Sequence, residues 1–164
     1  MRAVALLLPM LLGACGLTPM YAGGAAGAVG GTLSQVEVAP IEGKSGWLVA
    51  NALRDRLATS GAATPRYRLQ VRLDDQIVGL GVRRDDSVSR ERRTLRARYQ
   101  LVDLASNAVV VDATAGSDAG ADVVQSEYAT IAAENSALER LSVIVADRIV
   151  SRLALYAGRR QSAR

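Results

Sequence analysis

The sequence predicts an α+β fold: a two-layer sandwich whose four-stranded, mostly antiparallel sheet is packed on one face by two helices, in the order β-α-β-β-β-α. Three observations carry this. Two stretches, 66–74 and 90–101, alternate apolar and polar residues with the period of two that marks a half-buried strand. Two others, 45–57 and 131–156, repeat apolar residues at spacings of three and four, which gives each helix one apolar stripe. A sheet with one apolar face and helices with one apolar stripe bury those surfaces against each other.

The first strand is expected over 33–38, where Leu33, Val36 and Val38 flank the polar Gln35 and Glu37. Pro40 ends it, because proline fixes φ and has no N–H to donate. Ser45 offers a helix cap. Leu48, Val49, Ala52, Leu53 and Leu57 then share one helical face, with Asn51, Arg54 and Asp55 on the other, and Gly61 supplies the left-handed residue that closes the helix. After Pro65, Tyr67, Leu69, Val71 and Leu73 point one way and Arg66, Arg68, Gln70, Arg72 and Asp74 the other. This second strand continues through Ile77 and Val78 to Gly81, and Arg83 to Ser87 form a polar connection.

The third strand repeats the device, with Leu95, Ala97, Tyr99 and Leu101 inward and Arg90, Arg92, Thr94, Arg96, Arg98 and Gln100 outward. A turn over 103–107 leads to a fourth strand, Val109 to Ala113, followed by a loop over 116–122. Ile131, Leu138, Leu141, Val145, Ile149, Leu153 and Tyr156 mark the last helix. It spans roughly 28 residues, ~40 Å at the standard rise, and is expected to stop at Gly158, leaving 158–164 frayed. Short connections make strands two to four an antiparallel meander. The place of the first strand in the sheet is not legible.

Composition narrows the chemistry. Histidine is absent and there is one cysteine, so the usual zinc ligands and the histidine base are missing together. Neither enzymatic activity nor a cofactor is expected. Phenylalanine is absent and Trp47 is the single tryptophan, so the core must be built from Leu, Val, Ile and Ala with a few tyrosines. With 20 Lys and Arg against 16 Asp and Glu the net charge is +4, or 4 − 1 = +3 without Arg2.

The N-terminus suggests export. Met1 and Arg2 precede an apolar stretch, Ala3 to Leu12, broken by Pro9. It has about half the ~20 residues that span a bilayer, and the layout of a secretory signal. The tetrad Leu12, Gly13, Ala14, Cys15 resembles a bacterial lipobox, in which the cysteine is lipidated on sulfur, the chain is cut just before it and the new amino group is acylated. Several acyl chains, at roughly 0.8 kcal/mol per buried methylene, anchor a protein stably without a membrane-spanning helix. The alternative is an ordinary signal with a free reactive thiol. Residues 1–14 are thus expected to be a signal peptide, which leaves 164 − 14 = 150 residues, enough for one domain. Cys15 is the expected lipidation site, 15–32 a Gly- and Ala-rich flexible tether, and 33–157 the folded domain. Gly16 stands where such lipoproteins carry aspartate for inner-membrane retention, which points to the outer membrane.

Pairing of strands two and three gathers Arg66, Arg68, Arg72, Arg90, Arg92, Arg96 and Arg98 on one uncovered face. Like charges opposite one another weaken a sheet, and the planar guanidinium fork suits phosphate and carboxylate. Either acidic neighbours such as Glu91 and Asp74 relieve the repulsion and the face is merely solvated, or an anion occupies it. The anion is then a lipid or glycolipid, a nucleic acid or an acidic protein wall. Export and the lack of interleaved aromatics for base stacking argue against nucleic acid. The pairs Asp74–Asp75 and Asp85–Asp86 adjoin arginines and read as ion-pair partners, Gly79 and Gly81 lack the lysine and helix of a phosphate loop, and capping accounts for Ser45 beside Lys44.

The order of several phrases completes the reading: CGLTPMY over 15–21, VAPI over 38–41, SRERRTLRARYQLVD over 89–103, SEYATIAAENSA over 126–137 and ADRI over 146–149. Together they resemble the LptE family of lipopolysaccharide-assembly lipoproteins across essentially the whole chain. The resemblance implies a lipid-anchored outer-membrane protein without catalytic activity that plugs the LptD β-barrel, assists its assembly and takes part in placing lipopolysaccharide in the outer leaflet. It supplies an identity for the anion, lipid A phosphates or acidic groups of the barrel wall or sugar core. Strand geometry then nominates Arg90, Arg92, Arg96 and Arg98 as lipopolysaccharide-binding residues. The rival readings are a lipoprotein accessory of a lipid-trafficking ABC transporter and a periplasmic hydrolase, for which the sequence offers no nucleophile and base.

Overall fold

Among the described residues, one sheet in the order β1-β2-β3-β4 carries the helices on one face and has no element on the other. The computed structural model describes residues 27–57, 64–82, 88–122 and 126–162. Cys15 and its surroundings, the expected cap at Gly61 and the connection over 83–87 lie outside them. Chain order is α1 (Ala28–Leu33), β1 (Val36–Val38), α2 (Gly43–Leu57), β2 (Tyr67–Val82), β3 (Val88–Asp103), β4 (Ala108–Asp122) and α3 (Glu127–Ser162).

The α+β sandwich and the antiparallel meander of β2, β3 and β4 are as the alternation predicts. β1 lies parallel beside β2, with Val36 opposite Tyr67 and Val38 opposite Leu69. The residues read as inward are the core: Tyr67, Leu69, Leu95, Tyr99 and Leu101 of the sheet pack on Leu53 of α2 and Leu138, Leu141, Ile149 and Leu153 of α3, all 2% exposed or less. The helices run parallel and in step. Lys44 Nζ donates to Asn135 Oδ1 at 2.6 Å and Arg56 binds Asp147, each pair 91 residues apart in the chain.

Several boundaries differ from the sequence reading, each for a tertiary reason. Residues 28–33, read as the end of the tether and the start of a strand, form a six-residue helix. So short a helix with two glycines is unstable alone; Val29 and Leu33, four residues apart, hold it by packing into the core. α2 starts at Gly43, not after a cap at Ser45. Gly46 lets this start fold tightly: a Cβ there would stand 2.6 Å from the Ile41 carbonyl oxygen. β4 runs to Asp122 through the stretch expected to be a loop, since ladder pairing with β3 down to Arg90 outweighs the low strand propensity of its alanines and glycines. α3 has 36 residues, about 54 Å, and passes through Gly158 into the tail expected to fray. Its last turns are tied down by buried Ala157 and by Arg160, which donates to the Tyr67 hydroxyl at 2.6 Å and stacks on the Tyr156 ring.

Candidate anion-binding face

The register fixes which side chains leave the core. Because Leu69, Val71, Leu95, Ala97 and Tyr99 are buried beneath the helices, the alternate residues must emerge on the other side. Arg68 and Arg72 of β2 and Arg90, Arg92, Arg96 and Arg98 of β3 are all exposed there. Arg72 is the Cα partner of Arg98, and Arg96 lies between Asp74 and Gly116. Arg66, counted with this group in the sequence, departs from it. It precedes β2, stacks on the Tyr67 ring and stands 3.7 Å from Asp103. Asp103 is buried in a turn where the Ala105 and Ser106 N–H groups bind it, and the Ala105 bond above all holds its carboxyl below the ordinary range.

The face is only partly neutralised. Arg68 pairs with Glu37 at 3.5 Å and Arg98 with Asp112 at 3.2 Å. Gln100 donates to the same Asp112 oxygen at 2.8 Å, and this bond first, then Arg98, lowers the Asp112 carboxyl. Asp74, although opposite Arg96, accepts its hydrogen bonds from Gln76 at 3.1 and 3.2 Å. Among the described residues, Arg72, Arg92 and Arg96 form no ion pair. A depression of about 540 Å³ lies between Arg72, Arg96 and Arg98, with Thr94, Thr114 and Asp118 on its margin. Its β4 side is open because Gly116 has no side chain: a Cβ there would press on Arg96 Cγ at 3.1 Å.

Of the four residues nominated by sequence, Arg96 and Arg98 line this depression. Arg92 lies four residues further along β3, about 13 Å away, and Arg90 two residues beyond that. Arg72 belongs to the site and was not among the four; its register opposite Arg98 is the signal that identifies it.

The remaining arginine of β3 has the opposite role. Arg93 shares parity with Leu95 and lies on the helix side, where it forms a two-pronged pair with Asp75 at 2.7 and 2.8 Å and donates to the Glu134 carbonyl at 3.1 Å. Glu91, on the same side, has a buried Oε2 without a donor among the described residues. Burial first, and then the adjacent Glu134 carboxyl, raise its pKa. These residues tie the start of α3 to the sheet. Among the described residues no cluster is arranged to hold a metal ion, and no helix is long and apolar enough to cross a membrane.

Comparison with known proteins gives a family and a fold. The LptE family model, described as lipopolysaccharide-assembly, matches residues 33–153. A crystal structure of a candidate lipoprotein from Caulobacter crescentus superposes with a TM-score of 0.66 at 25% identity, covering 82% of this chain and 98% of that one. Rare lipoprotein B from Shewanella oneidensis gives 0.60 at 11% identity over 77% and 96% of the two chains. A minor lipoprotein from Acinetobacter baumannii gives 0.57 at 14% over 73% and 91%. No curated protein matches the chain in sequence.

Proposed function

Since the chain belongs to the LptE family, whose members are non-enzymatic lipoproteins of lipopolysaccharide assembly, we propose that it is held to the outer membrane by acyl chains on Cys15, plugs an LptD-type β-barrel and offers its open sheet face to lipopolysaccharide passing through. The observation that carries the ligand part is the set Arg72, Arg92 and Arg96, exposed and without ion pairs among the described residues. Arg72 and Arg96 line one depression and Arg92 lies further along the same strand face. Cations so spread on a sheet without ion pairs favour binding of a multiply charged anion, whose phosphate oxygens guanidinium matches in pairs. Lipid A phosphates have that chemistry. The covered face contributes rigidity: Arg96 emerges between the buried Leu95 and Ala97, and Arg72 follows the buried Val71.

Anchoring by acyl chains leaves the whole folded domain free to enter a barrel lumen. The test of the partner is purification of the full chain from detergent-solubilised membranes, with identification of what co-elutes. An outer-membrane barrel in equal amount is expected. An inner-membrane transporter complex, or no pore-forming companion, overturns the plug assignment. Labelling with radioactive palmitate tests the anchor: Cys15→Ser removes the label if Cys15 carries the lipid.

A further inference from the structure

Among the described residues β4 ends the sheet, and one side of its backbone has no strand partner there along Ala108–Asp122. Such an edge is a template for another chain, and proteins ordinarily blunt it with charged side chains, above all lysine, with proline, with a bulge or with a covering element; β4 carries Asp112, Asp118 and Asp122. β4 contains neither lysine nor proline, and its one irregularity, opposite Leu101 and Val102, lies near its start. The other edge of the sheet is treated differently, since β1 and then Ala39 and Pro40 run along the beginning of β2.

The free edge is not bare of function-bearing groups. A groove of about 530 Å³ is floored by Tyr99 and residues 113–116 and flanked by Arg148 and Arg152 of α3. Arg148 donates to the Gly116 carbonyl, which places its guanidinium at the β4 backbone. Both arginines are exposed and neither forms an ion pair among the described residues. The β4 side chains of the floor, at Ala113, Ala115 and Gly116, are small, so a second backbone can approach closely. The spacing also agrees: Arg148 and Arg152 are four residues apart on a helix, about 6 Å, and alternate side chains of an extended strand are about 6.8 Å apart.

We propose that the β4 edge, with Arg148 and Arg152 above it, is a second binding surface that takes an extended acidic polypeptide segment as a fifth strand. The added strand is held through its main chain and selected by carboxylates at positions i and i+2, one for each arginine. This surface is distinct from the open face and its ligand is a protein segment, so the proposal stands apart from the glycolipid reading.

The test uses the purified full chain and a synthetic peptide of about ten residues alternating valine and glutamate. Two control peptides replace glutamate by lysine, or carry N-methyl groups on alternate residues, which keep the charge and block backbone pairing. Expected is saturable binding of the valine–glutamate peptide with slowed amide exchange in β4. Weakening by about tenfold or more is expected for the N-methylated peptide and for the Arg148→Ala, Arg152→Ala double variant, with no change for Arg72→Ala, Arg96→Ala. Loss of binding in the Arg72, Arg96 variant alone, equal binding of the N-methylated peptide, or no binding at millimolar peptide overturns the proposal. None of these outcomes bears on lipopolysaccharide, which is assayed separately.

Discussion

Arg72 and Arg98 face each other as Cα partners on adjacent strands, and among the described residues Arg98 alone of the two has a carboxylate, Asp112 at 3.2 Å. Two guanidiniums opposite one another cost a sheet up to about 1 kcal/mol. Arg72→Gln is therefore expected to leave stability unchanged or raise it by roughly 0.2–1 kcal/mol, measured by urea unfolding at low salt. A clear loss of stability would show that Arg72 has a structural role instead.

Arg93 behaves in the opposite sense, because its pair with Asp75 is largely shielded, the side chains being 14% and 20% exposed. Removing one member of such a pair strands the other. Arg93→Ala and Asp75→Ala are each expected to destabilise by about 3 kcal/mol, and the double variant by clearly less than the sum. Additive losses would mean that the two residues act separately.

Glu91 makes stability depend on pH. Its carboxyl sits above the ordinary value of 4.5 because of burial first and Glu134 second, so between the ordinary value and the raised one the folded protein keeps a proton that the unfolded chain has released. The linked stability is present below the ordinary value and is lost as pH rises through the raised one. Glu91→Gln removes this dependence. The variant is expected to gain about 1 kcal/mol at neutral pH, the scale of one buried acceptor without a donor, and almost nothing near pH 4. Unfolding curves at the two pH values check this, and an equal effect at both contradicts it.

Gly46→Ala sets two effects against each other. Alanine favours a helix over glycine by about 1 kcal/mol, but its Cβ would lie 2.6 Å from the Ile41 carbonyl oxygen, a backbone atom that cannot swing aside. Overpacking of this kind costs about 1–3 kcal/mol. The expected net result is destabilisation by about 1 kcal/mol, read as a lower thermal midpoint.

The strands and their faces were legible because alternation around Leu69, Val71, Leu95 and Tyr99 is a local signal and burial follows it. The same parity, applied to the β2–β3 register, gives the open arginine face. Legibility failed where distant contacts decide. Leu33 is apolar in either a strand or a helix, and only packing against the core selects the helix. Gly158 looks like a stop, yet the anchoring of Arg160 on Tyr67, 93 residues away, carries the helix past it. Membership of the site turned on register too. The pairing of Arg98 with Asp112 of β4 and the place of Arg72 opposite it depend on which strands are neighbours, which no single stretch records.

The most direct test of the arginine face is binding of purified lipopolysaccharide to the full chain, compared with the Arg72→Ala, Arg92→Ala, Arg96→Ala triple variant at low and high salt and with enzymatically dephosphorylated ligand. Tight binding by the wild type that weakens with salt is expected, with a loss of about tenfold or more in the variant, whose circular dichroism and thermal midpoint stay at wild-type values or above. Dephosphorylated ligand is expected to bind both proteins alike and weakly. Equal binding of intact lipopolysaccharide by the wild type and the triple variant would show that the arginine face does not bind it.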